Sequence, residues 1–171
     1  GKIFGGARGY AGEFGHTVIV AGGRRCTCGG EGCIEAYVSA WALRQEARAA
    51  VARFPDSSLA AIRDREIEPL DLSEAAARGD ILATELLAAA GRHLGIAVAS
   101  AVNLLNLDAV IVGGGISAAG DALFGPLERQ FRIAALPAAA RDCRIVPAQL
   151  GNDAGMLGAA RLVFGAEKAA R

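Results

Sequence analysis

The sequence predicts an α/β domain of layered helices and strands, and three features carry that prediction. Helix and strand patterns alternate through its second half. Ala109-Val110-Ile111-Val112 is a short apolar run of the fully buried strand type. Ahead of it lies a long helical pattern with Gly91, Gly95 and Ala99 along one face, where small residues let a second helix approach closely.

The elements can be justified in chain order. Lys2-Ile3-Phe4 reads as a strand arriving from a turn, and glycines then recur at positions 5, 6, 9, 12 and 15. Domains seldom begin in mid-hairpin, so the protein is expected to extend upstream. His16 to Val20 reads as a short strand and 21–32 as a loop rich in Gly and Cys. A helix is expected from about Cys33 to about Arg53, because Ala36, Val38, Leu43, Ala47 and Val51 recur at roughly helical spacing. Pro55-Asp56-Ser57-Ser58 breaks it.

Leu72 to Ala77 predicts a short helix with Ser73 as a cap partner. Asp80 then caps the longest element, in which Leu82, Leu86, Ala90, Leu94, Val98 and Val102 fall four apart, ending near Leu105-Asn106. After the strand at 109–112, Gly113-Gly114-Gly115 predicts a tight turn. A helix follows from about Asp121 to Phe131, ahead of the breaker Pro137. Arg144-Ile145-Val146 predicts another strand, and Asp153 to Phe164 a final helix.

A chain of 171 residues fits one domain, or one large half of a two-domain protein. It is 53% hydrophobic but only 5% aromatic, so its core is expected to be built from small aliphatics. Eighteen basic residues balance eighteen acidic ones without a basic block, which gives no electrostatic footprint for nucleic acid. No charged-then-apolar leader opens the sequence. The uncharged run from Leu94 to Leu107 is too short to cross a bilayer and reads as a buried helix. The cytoplasm is the expected compartment, where clustered cysteines are metal ligands more often than disulfides.

Three of the four cysteines and one of the two histidines fall within two dozen residues: His16, Cys26, Cys28 and Cys33. Zinc suits this set, because Zn²⁺ takes thiolate and imidazole ligands in a tetrahedron. Four protein ligands leave no position for water, so the ion is expected to be structural. Gly29, Gly30 and Gly32 let the backbone turn tightly around it. Clustered free thiols or a redox disulfide are the rival readings. A DNA-reading finger would want a basic helix after the ligands, whereas Glu35-Ala36-Tyr37-Val38 follows. Cys143, alone and beside a strand pattern, reads as a core residue, and His93 as a surface or half-buried one.

Two carboxylates flank the cluster, Glu13 and Glu35. A zinc-bound imidazole keeps a proton on its second nitrogen, so it donates where the carboxylates accept. Acceptor, donor, acceptor is the pattern that grips a polyol, since each hydroxyl both gives and takes a hydrogen bond. The alternative is that Glu13 and Glu35 neutralise Arg24 or Arg25, or cap a helix. Gly113-Gly114-Gly115, between a strand and a helix, allows close approach of a ligand. The sequence holds no Gly-x4-Gly-Lys-Ser/Thr, which excludes a P-loop. No acidic residue closes the following strand, which argues against a dinucleotide fingerprint.

Together these segments resemble the ROK family (repressor, open reading frame, kinase). The likeness rests on Gly5 to His16, the Cys-x-Cys-Gly-x-x-Gly-Cys-x-Glu run, Gly113-Gly114-Gly115 and the closing Leu150-Gly151-Asn152-Asp153-Ala154-Gly155-x-x-Gly158. It implies an actin-like ATPase (ribonuclease H-like) fold of which this chain is the C-terminal domain, carrying an inserted zinc-binding loop. It implies that His16, Cys26, Cys28 and Cys33 hold a structural zinc, that Glu13, His16 and Glu35 contact sugar hydroxyls, and that Gly113, Gly114 and Gly115 lie on the adenosine side.

Family kinases also carry an Asp-x-Gly-x-Thr phosphate loop, an Asn-x-Asp whose aspartate activates the sugar hydroxyl, and a Gly-Thr-Gly loop. Asp-x-Gly-x-Thr and Gly-Thr-Gly are absent from this sequence, and its single Asn-x-Asp, Asn106-Leu107-Asp108, closes the long helical pattern just ahead of the strand at 109–112; the resemblance implies that the activating aspartate lies upstream of this chain. The resemblance therefore implies the C-terminal part of a glucokinase-like kinase that uses ATP and Mg²⁺ on a hexose or N-acetylhexosamine, inactive when isolated. The alternative is the sugar-sensing domain of a repressor. A third reading is a zinc-stabilised interaction domain that binds no sugar. The family likeness further implies a homodimer and no membrane association.

Overall fold

Asp80 starts the helix that organises the domain. In the computed structural model, which describes residues 3–169, its carboxylate accepts the Ala83 N–H at 3.1 Å and hydroxyl hydrogen bonds from Ser57 and Ser58. Burial works against the Asp80 charge, but these donors outweigh it and hold the carboxyl below its usual range. Helix α4 (Ile81–Leu105) ends at Asn106, which adopts the left-handed conformation (φ 51°) and returns its N–H to Val102 O at 2.8 Å. By length and composition α4 could cross a membrane, but its Gly91, Gly95, Ala97, Val98 and Val102 are buried within the domain.

Helix α5 (Asp121–Ala134) lies against α4 nearly backbone to backbone. A Cβ built on Gly95 would stand 2.6 Å from Leu127 O, and one on Gly91 would overlap Leu123 O. The small residues read from the sequence as a close-packing face therefore do that work. Leu87, Leu123 and Leu82 join Leu43, Leu59 and Leu72 in one buried cluster. Val98, Val102, Phe131 and Cys143 form a second, so Cys143 is a core residue as expected.

Strands β1 (Ala109–Val112) and β2 (Arg144–Pro147) pair in parallel, with Val110 opposite Ile145. The crossover between them runs through α5 and a short helix α6 (Pro137–Asp142). Pro137 thus opens a helix instead of merely ending one, since a first-turn N–H has no partner to lose.

Several local expectations fail for identifiable reasons. The helix expected over 33–53 is divided into α1 (Glu35–Val38) and α2 (Ala40–Ala50). Ser39 is extended between them (ψ 158°), and its hydroxyl accepts the Ala42 N–H at 3.1 Å to cap α2. Helix α3 (Pro69–Ala77) begins three residues before Leu72, with Asp71 accepting the Glu68 N–H at 2.8 Å. Ser73 is no cap partner; its hydroxyl donates back to Pro69 O at 3.0 Å. No strand forms at Ile3-Phe4, which are irregular and exposed, while Lys2 lies outside the described residues. The strand expected at 16–20 reduces to one bridge, Val18 to Cys33, after a 3-10 turn at Phe14–His16. Helix α7 (Ala154–Ala169) closes the described chain.

Candidate metal centre and ligand face

The cysteine loop is wound by its own backbone. Ile34 N–H donates to Thr17 O (3.0 Å), Ile19 N–H to Gly32 O (2.9 Å), Gly32 N–H to Arg24 O (2.8 Å) and Cys26 N–H to Gly30 O (2.8 Å). Gly32 has φ +78° and presses on Val20 O, so no side chain fits there. This winding brings the donor atoms of His16, Cys26, Cys28 and Cys33 to within 4.8 Å of one another.

Two of the distances among them match the edges of a zinc tetrahedron. Bonds of ~2.3 Å to sulfur and ~2.0 Å to nitrogen give edges of ~3.8 Å between two sulfurs and ~3.6 Å between sulfur and nitrogen. Cys28 Sγ lies 3.7 Å from Cys33 Sγ, and Cys26 Sγ lies 3.6 Å from His16 Nδ1. The nitrogen turned inward is therefore Nδ1.

Cys26 and Cys33 are buried and Cys28 is exposed. Burial, and then the neighbouring Cys28 and Cys26, push the Cys33 thiol up to about 11. The Gly30 N–H, with the other two thiols, lowers Cys28. The hydrogen bond to Cys26 raises His16 against the effect of burial, helped by the charges of Glu35, Cys26 and Glu13. A dication bound among the thiols would oppose this rise by favouring the thiolate.

His16 Nε2, the nitrogen turned away from the thiols, stands 3.8 Å from Glu13 Oε2. Glu35, in the first turn of α1, accepts the Thr27 hydroxyl on Oε1 at 2.6 Å, and the Cys26 thiol reaches the same oxygen at 3.8 Å. Its Oε2 leans toward Gly15, the residue before His16. Glu13 thus stands beside the outer imidazole edge, while Glu35, held by Thr27, lies near Gly15 and adds its charge to the surroundings of His16. Of the alternatives, Arg24 pairs with Glu46 at 3.0 Å instead, while Glu35 does lie at a helix start, in the first turn of α1, where the helix dipole favours a carboxylate.

Sequence reasoning missed the clasp behind the loop. Arg24 N–H donates to the Tyr37 hydroxyl at 2.9 Å, and its guanidinium lies 4.7 Å over the Tyr37 ring. That ring also stacks on half-buried His93 at 4.4 Å, while His93 Nδ1 donates to Ala89 O at 2.9 Å. Tyr37 falls four residues after Cys33, a helical spacing that could have flagged it.

The glycine turn stands elsewhere, where β1 meets the 3-10 turn Gly115–Ala119. Gly114 has φ +86°, and Gly113 and Gly115 sit against Ala148 and Pro69. Gly114, Gly115, Ser117 and Gln149 line an open concavity of ≈ 340 Å³.

Residues 1–166 match the ROK family. The glucokinase of Halalkalibacterium halodurans is 39% identical over 95% of this chain and 50% of its own length. The DNA-binding transcriptional repressor Mlc of Escherichia coli is 33% identical over 86% of this chain and 36% of its own. A ROK family glucokinase from Streptomyces griseus, solved in complex with glucose and AMPPNP, superposes with a TM-score of 0.81 at 34% identity, covering 94% of this chain and 54% of that one. The chain spans about half the length of the curated glucokinase it matches. Structural neighbours of this kind place the α/β architecture in the actin-like ATPase fold. From the cysteine loop through the glycine turn and into the last helix, the chain belongs to the ROK family.

Proposed function

We propose that this chain is the C-terminal part of an ATP-dependent hexose kinase of the glucokinase type, contributing a zinc site and part of the sugar and adenosine sites. The observation that carries the reading is the division of labour at His16, with Nδ1 among three thiols and Nε2 beside Glu13. Likeness to a glucokinase solved with glucose and AMPPNP supports it.

Zinc held by His16, Cys26, Cys28 and Cys33 would supply a fixed cation that leaves the proton of His16 on Nε2. Nε2–H then donates to one sugar hydroxyl while Glu13 and Glu35 accept from others, which orients a hexose or N-acetylhexosamine. Gly113, Gly114 and Gly115 let the adenosine of ATP approach the backbone closely. The hydroxyl oxygen would attack the γ-phosphorus as the bond from that phosphorus to the β,γ-bridging oxygen breaks, its proton passing to an aspartate outside this chain and ADP leaving; Mg²⁺ would supply charge neutralisation at the phosphates. A homodimer of cytoplasmic subunits is part of the same reading.

The test compares the full-length protein with this chain. Full-length protein is expected to form hexose phosphate and ADP in a coupled assay, and the 171-residue chain to form none. Turnover by the isolated chain would overturn the assignment of the base. The identity with Mlc favours one second reading, a sugar sensor on a repressor. That reading gains the case if full-length protein binds hexose, hydrolyses no ATP and binds DNA.

A further inference from the structure

We propose that Thr27 is a positioning residue for the sugar-binding carboxylate: its hydroxyl fixes Glu35 so that Oε2 faces the ligand side of His16. The inference rests on the reading of Glu35 as a sugar contact and adds the group that aims it. Thr27 lies between two metal-ligand positions, Cys26 and Cys28, so its backbone is held by the same winding that gathers the thiols. Its single hydroxyl proton has two acceptors in range. Glu35 Oε1 is at 2.6 Å and Cys26 Sγ at 4.0 Å, and the shorter, charged partner takes it.

That bond occupies Oε1, which leaves Oε2, on the Gly15 side, as the oxygen free to accept from a ligand hydroxyl. Without the Thr27 donor, the carboxylate loses the contact that fixes its rotamer. The zinc loop thereby sets the geometry of the sugar face through one side chain, without the ion touching the sugar.

The experiment uses zinc-loaded full-length protein, with D-glucose and N-acetylglucosamine as probes in titration calorimetry and steady-state kinetics. Thr27→Val keeps the branched shape and removes the donor, Thr27→Ala is a second donor-free variant, and Thr27→Ser restores the hydroxyl. Loss of one hydrogen bond to a charged, partly exposed group predicts roughly five- to tenfold weaker hexose binding in Thr27→Val and Thr27→Ala. The loss is expected in KM more than in kcat, with zinc content unchanged and Thr27→Ser within about twofold of the parent.

Unchanged binding in Thr27→Val, alongside weakened binding in Glu35→Gln, would overturn the positioning role alone. Equal losses in Thr27→Val and Thr27→Ser, or loss of zinc, would overturn it too, by showing that Thr27 acts on the loop. Parent-like binding in Glu35→Gln, or no hexose binding by the parent, would remove the sugar reading and this inference with it.

Discussion

Replacing Gly95 by Ala tests the packing that positions everything else. The added Cβ would stand 2.6 Å from Leu127 O, 2.8 Å from Gln130 Cβ and 3.0 Å from Phe131 N. Measured against an optimal separation of ~3.5 Å, the first contact is short by ~0.9 Å. Leu127 O and Phe131 N are backbone atoms, so no rotamer change relieves them and α4 and α5 must part. That loosens Val98, Leu123, Leu127 and Phe131, all at most 2% exposed. Overpacking of this kind costs ~1–3 kcal/mol, and two backbone contacts place it at the upper end. Better helix propensity returns up to ~1 kcal/mol, leaving a net destabilisation of ~2 kcal/mol.

Gly158→Ala is the matched control, because Gly158 lies in α7 with no atom within 4 Å of an added Cβ. Propensity alone should make that variant more stable by ~0.5–1 kcal/mol. Urea unfolding followed by circular dichroism reads both values, with the slope checking that the transition stays cooperative. A Gly95→Ala protein as stable as Gly158→Ala would refute the backbone-to-backbone contact of α4 and α5.

Two further predictions concern the cysteine loop and its clasp. Purified protein should carry about one zinc per chain, and chelation should expose Cys26, Cys28 and Cys33 to thiol reagents while buried Cys143 stays protected. Metal-free protein with an unchanged melting curve and protected thiols would contradict the structural role. Burial lowers His93 from its ordinary value, with the charges of Arg24 and Arg92 adding to it and the Ala89 hydrogen bond opposing. The folded state then binds fewer protons than the unfolded one just below pH ~6.5, so stability is full above that value and falls as pH drops below it. His93→Gln should flatten this part of the urea-midpoint profile between about pH 7 and 5.5; an identical slope in the variant would assign the effect elsewhere.

The parts that could be read from sequence are those whose physics is local. The candidate metal ligands lie close together along the chain, so spacing alone brings them near one another. Asp80 and the four-residue recurrence of Leu82, Leu86 and Ala90 define a capped helix without reference to anything else. Gly91 and Gly95 announce a close neighbour because nothing but proximity explains small residues there. What stayed hidden depends on partners distant in the chain. Ser39 suits a helix interior or a cap equally, and only its extended backbone in the fold decides for the cap. Pro137 ends one helix and starts another, and sequence reading weighed only the first role. Ile3 and Phe4 have strand-like side chains, but a strand needs an edge to pair with, and they find none among the described residues. The Arg24–Tyr37–His93 stack joins three separate segments, and the helical spacing from Cys33 points to Tyr37 alone. Thr27 was passed over for a simpler reason: a hydroxyl between two cysteines gains meaning only once Glu35 is folded beside it.

The central claim is that His16 serves two masters through its two nitrogens, and nitrogen-15 NMR of the zinc-loaded full-length protein tests it most directly. The account predicts that His16 Nδ1 carries the metal and that Nε2 carries a proton whose resonance shifts when glucose or N-acetylglucosamine is added. A metal-bound Nε2, or an Nε2–H unmoved by saturating sugar, would contradict it.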